Sequence, residues 1–396
     1  MKRVTITRLF LAIIVIISLL AGAFVAFIMI NPNVLGLISS DGRITISAED
    51  YKYLSGLAER YQKAETIRSK ISNEFYTEVN QDLIDEYMLK GIIAGLDDQY
   101  SSYYTEQEYE DVLVSLTGEY DGVGITMIQS ERGYVEVQAV TKGSPAEAGG
   151  VKVGELITKV DGKAYTSETM DLAAAAIRGK AGTKVTVTFL SDGEVIERTF
   201  TRAHIINPTV EYSILDDNIA YIKVSSFENS TTDEFEKALK SVLSADSLII
   251  DLRDNPGGLV DSAVKIADMF MDSATLVYTQ DHNGNKEYFK TSAGKIWDKP
   301  FVVLVNENSA SASEIFAAGI QDNDVAMIVG TNTFGKGIIQ SLEQFKDGSA
   351  IKLTKWQYFT PSGRQIHKAG VKPEYIVEGA EEQLQKAIDL LKEKKK

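Results

Sequence analysis

The sequence predicts a multidomain chain of mixed α/β and α+β class, with a helical amino-terminal region, a compact strand-rich unit, an alternating α/β core and a single amino-terminal transmembrane helix. Three observations predict it. Residues 9–30 carry no charge and almost no polar side chain. Residues 116–204 hold short alternating runs separated by glycine turns. Residues 205–380 alternate apolar runs of strand length with amphipathic runs of helix length, the pattern of a sheet covered on both faces.

The apolar stretch is long enough to cross a bilayer of roughly 30 Å hydrocarbon as a helix. Lys2, Arg3 and Arg8 precede it and Asn31-Pro32 ends it. The positive side stays cytoplasmic, so the rest of the chain is expected outside the cell membrane. Residues 1–32 are therefore read as a cytoplasmic tip and anchor. A cleaved signal peptide is the rival, with Ala21-Gly-Ala23 as a cleavage site, but apolar sequence continues beyond it.

Composition narrows the function. A net charge of −15 argues against a nucleic-acid partner. The absence of cysteine removes disulfides, thiolate catalysis and cysteine-held metals. His204, His282 and His367 lack metal-site spacing, so no metal and no cofactor is expected.

Residues 33–115 read as a polar linker followed by helix. Tyr53, Leu57 and Tyr61, then Leu83, Tyr87, Met88 and Ile92, recur at helical spacing. Ser47 with Asp50 opens the segment as a cap. This block carries no chemistry, and packing or homodimer formation is its expected use.

In residues 116–204, the run 134–140 alternates as a half-buried strand and Pro145 starts a short helix. Residues 156–160 form a strand, 167–178 a helix capped by Ser167, and 184–190 with 194–201 a hairpin. Gly122-Val-Gly-Ile125, Gly143-Ser-Pro-Ala-Glu-Ala-Gly149, Gly154-Glu-Leu-Ile157 and Val160-Asp-Gly162 follow in order. Together they resemble a PDZ domain of the bacterial protease type. That resemblance implies that an extended peptide adds to a strand edge. Its terminal carboxylate would meet the backbone of Tyr120, Gly122, Val123, Gly124 and Ile125.

The core reads as strand 218–224, helix 231–243, strand 247–253, helix 259–271, strand 301–306, helix 311–320 and strand 326–330. A basic-ended helix over 381–396 closes the chain. Three local features stand out. Ser311, in Asn308-Ser-Ala-Ser-Ala-Ser-Glu314, follows a buried strand and opens a helix. Ser-x-x-Glu is a capping box, yet a helix amino terminus also stabilises a developing oxyanion. Ser309 and Ser313 compete with Ser311 for the role of nucleophile. Lys336 sits between two glycines, and burial there would lower its pKa toward a usable base. Gln340 lies four residues on, a spacing that returns to the same face in a helix and in a strand. Asp254-Asn-Pro-Gly-Gly258 ends a strand with a turn that exposes backbone N–H groups.

Four blocks then resemble one family. They are Leu252-Arg-Asp-Asn-Pro-Gly-Gly258, Val305-Asn-Glu-Asn-Ser-Ala-Ser-Ala-Ser-Glu314, Gly335-Lys-Gly337 with Gln340, and Tyr358-Phe-Thr-Pro-Ser-Gly363. Residues 50–385 resemble the carboxyl-terminal processing peptidases, the tail-specific serine proteases of peptidase family S41. The resemblance implies that Ser311 is the nucleophile, Lys336 its base and Gln340 the residue that orients the lysine. It implies an oxyanion held by the N–H groups of Gly257 and Ala312. Asn306, Ser309 and Ser313 are then structural, and Arg178 links the PDZ domain to the core. A membrane-anchored PDZ scaffold without catalysis is the alternative, and a crotonase-like acyl-CoA enzyme ranks third. Intact Ser311, Lys336 and Gln340 favour the peptidase.

Overall fold

The computed structural model describes residues 46–394. The anchor expected over 9–30 and most of the linker lie outside the described residues. Among the described residues no helix is long and apolar enough to cross a membrane. The chain divides into two units, residues 1–87 and 88–396.

In the first unit, helix Ala48–Glu74 begins at Ser47, whose Oγ accepts the Asp50 N–H at 3.0 Å. The helix buries no residue, leaving Tyr51, Leu54, Tyr61 and Ile67 exposed. Arg68 grips both carboxylate oxygens of Asp85, at 2.6 and 3.0 Å.

In the second unit, the main sheet runs in the order Val210–Leu215, Ile219–Val224, Ser247–Asp251, Phe301–Val305, Met327–Gly330, Tyr375–Ile376. All neighbours are parallel except the first pair. Strands Ser247–Asp251 and Phe301–Val305 are buried along their whole length, because helices cover both faces. On one face Phe235, Ile266 and Phe316 come from helices Thr231–Ser241, Val260–Asp268 and Ala312–Asp322. On the other face lies helix Ala380–Lys394, with Ala387, Leu390 and Leu391 packed on Ile249, Val302 and Leu304. The closing helix is thus part of this chain's own core.

A second sheet has no counterpart in the expected element order. Ala350–Phe359 pairs with Ile338–Gln344, Thr275–Gln280 and Ser102–Tyr104. Asp97-Asp98 and Ser101-Ser102 break the helical pattern of 48–115 in sequence, and there Ser102–Tyr104 inserts as an edge strand. These strands are mostly half-buried, so their residues show neither strict alternation nor a continuous apolar run.

The strand-rich unit is a sheet of Ile125–Gln129, Val135–Val140, Leu156–Val160, Lys184–Ser191 and Glu194–Thr201 around Val137, Ile157 and Phe189. Strands Glu119–Gly122 and Ala203–Ile206 pair where the chain enters and leaves it. A 3-10 turn, Ser167–Thr169, precedes helix Met170–Ile177, so Ser167 does not serve as the expected cap.

Candidate active site

The site forms at the carboxyl ends of the parallel strands, where loops gather in α/β sheets. Strand Phe301–Val305 ends, and helix Ala312–Asp322 begins seven residues later. The three competing serines separate here. Ser309 and Ser313 are fully buried. Their hydroxyls donate to the carbonyls of Leu252 at 2.8 Å and Asn255 at 3.0 Å. Both therefore fasten the serine loop to the Asn-Pro-Gly-Gly turn. Ser311 is half-buried and has φ 55° and ψ −113°, a conformation costly for a residue with a Cβ. A sharp strand-to-helix turn of this kind presents a hydroxyl outward.

Gly257 lies against that turn. A Cβ placed on it would stand 2.8 Å from Ser311 Cβ and 2.9 Å from Ala312 N, and its φ is +101°. Only glycine fits. The two expected oxyanion donors differ in state. Gly257 N–H donates to Asn255 Oδ1 at 2.8 Å, inside an Asx-type turn. Asn255 is itself fully buried, its Nδ2 donating to Val224 O at 2.9 Å. The turn thus uses one N–H that the sequence reading had left exposed. Ala312 N–H stands at the first position of the helix, where no intrahelical acceptor exists.

Lys336 is half-buried in the loop before strand Ile338–Gln344. Its Nζ lies 5.1 Å from the centroid of the Tyr100 ring. Burial pushes the amine below its ordinary pKa, and the positive charge of Lys352 adds to this, while Glu314 and Asp98 oppose. Among the described residues no hydrogen bond joins the Lys336 amine to the Ser311 hydroxyl. Gln340 Nε2 donates to Thr354 Oγ1 at 3.2 Å, and no bond links Gln340 to Lys336. The four-residue spacing does not act as on a regular strand. Lys336 precedes the strand, and the register shifts between Ile339 and Gln340.

What joins the serine and lysine segments is a buried pair that the sequence reading did not assign, Glu314 and Tyr358. Glu314 is fully buried; its Oε2 accepts the N–H of Ser311 at 2.9 Å and of Lys336 at 2.8 Å. Its Oε1 accepts Thr333 Oγ1 at 2.6 Å and Gly335 N–H at 2.7 Å. The Tyr358 hydroxyl faces the carbonyls of the same two residues, Ser311 at 3.1 Å and Lys336 more closely still. Burial, with the Glu314 carboxylate beside it, pushes the Tyr358 phenol well above its ordinary pKa, so it stays a proton donor. Ser-x-x-Glu signalled the first of these bonds. Nothing in the local sequence signalled the other three to Glu314.

In the strand-rich unit, Tyr120, Val123, Gly124, Ile125 and Met170 line a groove of about 310 Å³ beside helix Met170–Ile177. The Val123 and Gly124 carbonyls accept the N–H groups of Ala146 at 2.8 Å and Thr141 at 2.9 Å, which fixes both peptide planes. Gly124 has φ +84°, and a Cβ there would strike Ser144 Cβ at 2.3 Å. Gly122 ends the stem strand, beneath the Tyr120 ring. Arg178 caps the groove helix, pairs with Asp111 of helix Glu106–Thr117 and lies 5.9 Å from the Tyr120 ring centroid. Among the described residues no cluster of acidic or histidine side chains could hold a metal.

The chain is similar to known proteins. The profile of peptidase family S41 matches residues 218–377, and that of the PDZ domain matches 136–191. The chain is 33% identical over 370 residues to the carboxy-terminal processing protease CtpA of Bacillus subtilis, covering 92% of this chain and 76% of that one. It is 37% identical over 323 residues to the carboxyl-terminal-processing protease of Synechocystis sp., covering 76% of each. A solved structure from Bacteroides fragilis, named as a candidate S41 protease, superposes with a TM-score of 0.50 at 17% identity, over 78% of this chain and 90% of that one. At that identity the likeness shows the fold alone.

Proposed function

The chain belongs to peptidase family S41 and is a serine peptidase of the carboxyl-terminal processing type, and from that premise we propose that it cleaves protein tails with a Ser311–Lys336 dyad while anchored to the cell membrane. One observation carries the dyad. Of three serines in one loop, two are spent on buried carbonyls, and the backbone of the third is held to that of Lys336 through Glu314.

The chemistry follows from the groups present. Neutral Lys336 Nζ takes the Ser311 proton as Oγ attacks the scissile carbonyl. The new oxyanion meets Ala312 N–H, joined by Gly257 N–H once Asn255 Oδ1 releases it. As the C–N bond breaks, the lysine returns the proton to the leaving amine. Water, deprotonated by the same lysine, then frees the acyl group from Ser311. Gln340 orients the amine if the loop closes on substrate, since its amide oxygen adds no charge that would retain the proton.

The PDZ groove supports tail recognition. Its apolar walls suit a terminal side chain, and the Val123–Gly124 backbone suits a carboxylate. Arg178 touches both the groove residue Tyr120 and the helix outside it, which fits a role in reporting peptide occupancy. Anchoring rests on residues 9–30, and an extracytoplasmic catalytic part rests on the charges before them. The exposed apolar residues of helix Ala48–Glu74 support a homodimer.

The test incubates the chain with a library of carboxyl-terminal peptides beside Ser311→Ala, reading cuts by mass. Cleavage lost in Ser311→Ala, with an unchanged melting temperature, is expected. Cleavage surviving in it rejects Ser311, and no cleavage by either protein favours a binding scaffold.

A further inference from the structure

We propose that Glu314 is a positioning residue for this reaction, the buried carboxylate that fixes the lysine loop against the nucleophile turn. The inference rests on the dyad reading above. A helix cap needs one bond from the Glu side chain back to the cap N–H. Glu314 makes that bond to Ser311 and three more to Thr333, Gly335 and Lys336, which lie beyond the end of its own helix.

The chemistry requires a carboxylate there. Three partners are backbone N–H groups, which can only donate. Thr333 Oγ1 already accepts the Val371 N–H at 2.7 Å and so offers Glu314 its proton. A carboxylate has about four acceptor sites and no donor, so four donors saturate it. Glutamine would turn an NH2 either toward the N–H groups of Ser311 and Lys336 or toward the Gly335 N–H and the Thr333 hydroxyl, so at least one donor meets a donor. Bonds to a charged acceptor in a fully buried site are also the strong ones. They oppose the strained φ of Ser311 and set the height of Lys336 on its loop.

The charge reaches the base as well. The charged groups that act on the Lys336 amine are Glu314 from the nucleophile helix, Lys352 from strand Ala350–Phe359 and Asp98 from the segment before strand Ser102–Tyr104, with the Tyr100 ring of that segment facing it. Removing the Glu314 charge leaves the ammonium less stabilised, so the amine loses its proton at a lower pH.

The experiment compares Glu314→Gln and Glu314→Asp in the full chain, beside Lys336→Ala, for melting temperature and for kcat and KM against pH. In Glu314→Gln we expect kcat about 100-fold lower with KM within about twofold, the scale of a roughly 1 Å misplacement. The acid limb of the profile moves to lower pH. In Glu314→Asp the charge remains but the reach shortens by about 1.5 Å; kcat falls about tenfold or more and the limb stays near its original place. Folded Glu314 variants with the original kcat overturn the proposal. So does a rate that falls only with the folded fraction and leaves the limb unmoved, and so does loss of the fold in both. Turnover surviving Lys336→Ala removes the dyad reading and this inference with it. A dead Lys336→Ala beside fully active Glu314 variants removes the inference alone.

Discussion

Gly257 and Ser311 are packed so closely that a methyl group on the glycine would lie 2.8 Å from the serine Cβ, and 2.6 Å from the carbonyl oxygen of Ala310. Two segments more than fifty residues apart are thus held as one rigid turn pair. Gly257→Ala must both adopt φ +101° and displace backbone. We expect a stability loss of about 1 kcal/mol or more and kcat/KM reduced about 100-fold or more. Thermal melting and peptide cleavage check it, and a variant of ordinary activity would show that the turn pair can open freely.

On the proposed dyad, the pH dependence of cleavage follows from Lys336. Burial and Lys352 lower the amine's pKa. Only the neutral amine accepts the serine proton, so activity rises with pH through that lowered value and falls away below it. Lys352→Met removes the repulsion that favours neutrality. The Lys336 pKa then rises, and the acid limb of kcat/KM moves to higher pH. A limb that stays put or moves downward contradicts Lys336 as base.

Glu228 makes stability depend on pH. Burial raises its carboxyl pKa above the usual 4.5, with Glu234 and Glu119 adding repulsion against a bond from Ser226. Its Oε2 is a buried oxygen without a partner, and it sits where a Cβ of Gly118 would be, 1.5 Å away. In the folded chain this group holds its proton to higher pH than in the unfolded chain. The stability it contributes is therefore full below 4.5 and is lost as pH rises through the folded value. Glu228→Gln should melt higher than the parent at pH 7, with the difference shrinking toward pH 4. An equal difference at both pH values would remove the ionisation as its cause.

Leu391 tests the closing helix. It is fully buried against the sheet. Leu391→Ala should cost about 2–5 kcal/mol, measured by denaturant unfolding. A cost under about 0.5 kcal/mol would mean the helix does not cover that face in solution.

The α/β core was legible because its strands carry their own signature. Val302, Val303 and Leu304 are apolar in sequence since both faces are covered, and helix Thr231–Ser241 buries only Thr231, Phe235, Ala238 and Leu239 along one stripe. The sheet built on Ala350–Phe359 was not legible. Its residues are mostly half-buried on both sides, so Lys352, Lys355 and Trp356 blur any period of two. Gln340 shows a different limit. Spacing suggested a shared face with Lys336, and an irregularity at Ile339 redirected it to Thr354.

The order of the motifs by itself singled out Ser311, Lys336 and the Asn-Pro-Gly-Gly turn as the candidate site, because residue type and local turn are properties of neighbours in the chain. Ser-x-x-Glu showed a helix start at Ser311, and Asn-Pro-Gly-Gly showed a turn. Tertiary structure alone decided that Glu314 spans from that helix start to Lys336, and that Ser309 and Ser313 are consumed by buried carbonyls. The physical reason is that a hydrogen bond between distant segments depends on where packing puts them, and no local propensity encodes that distance.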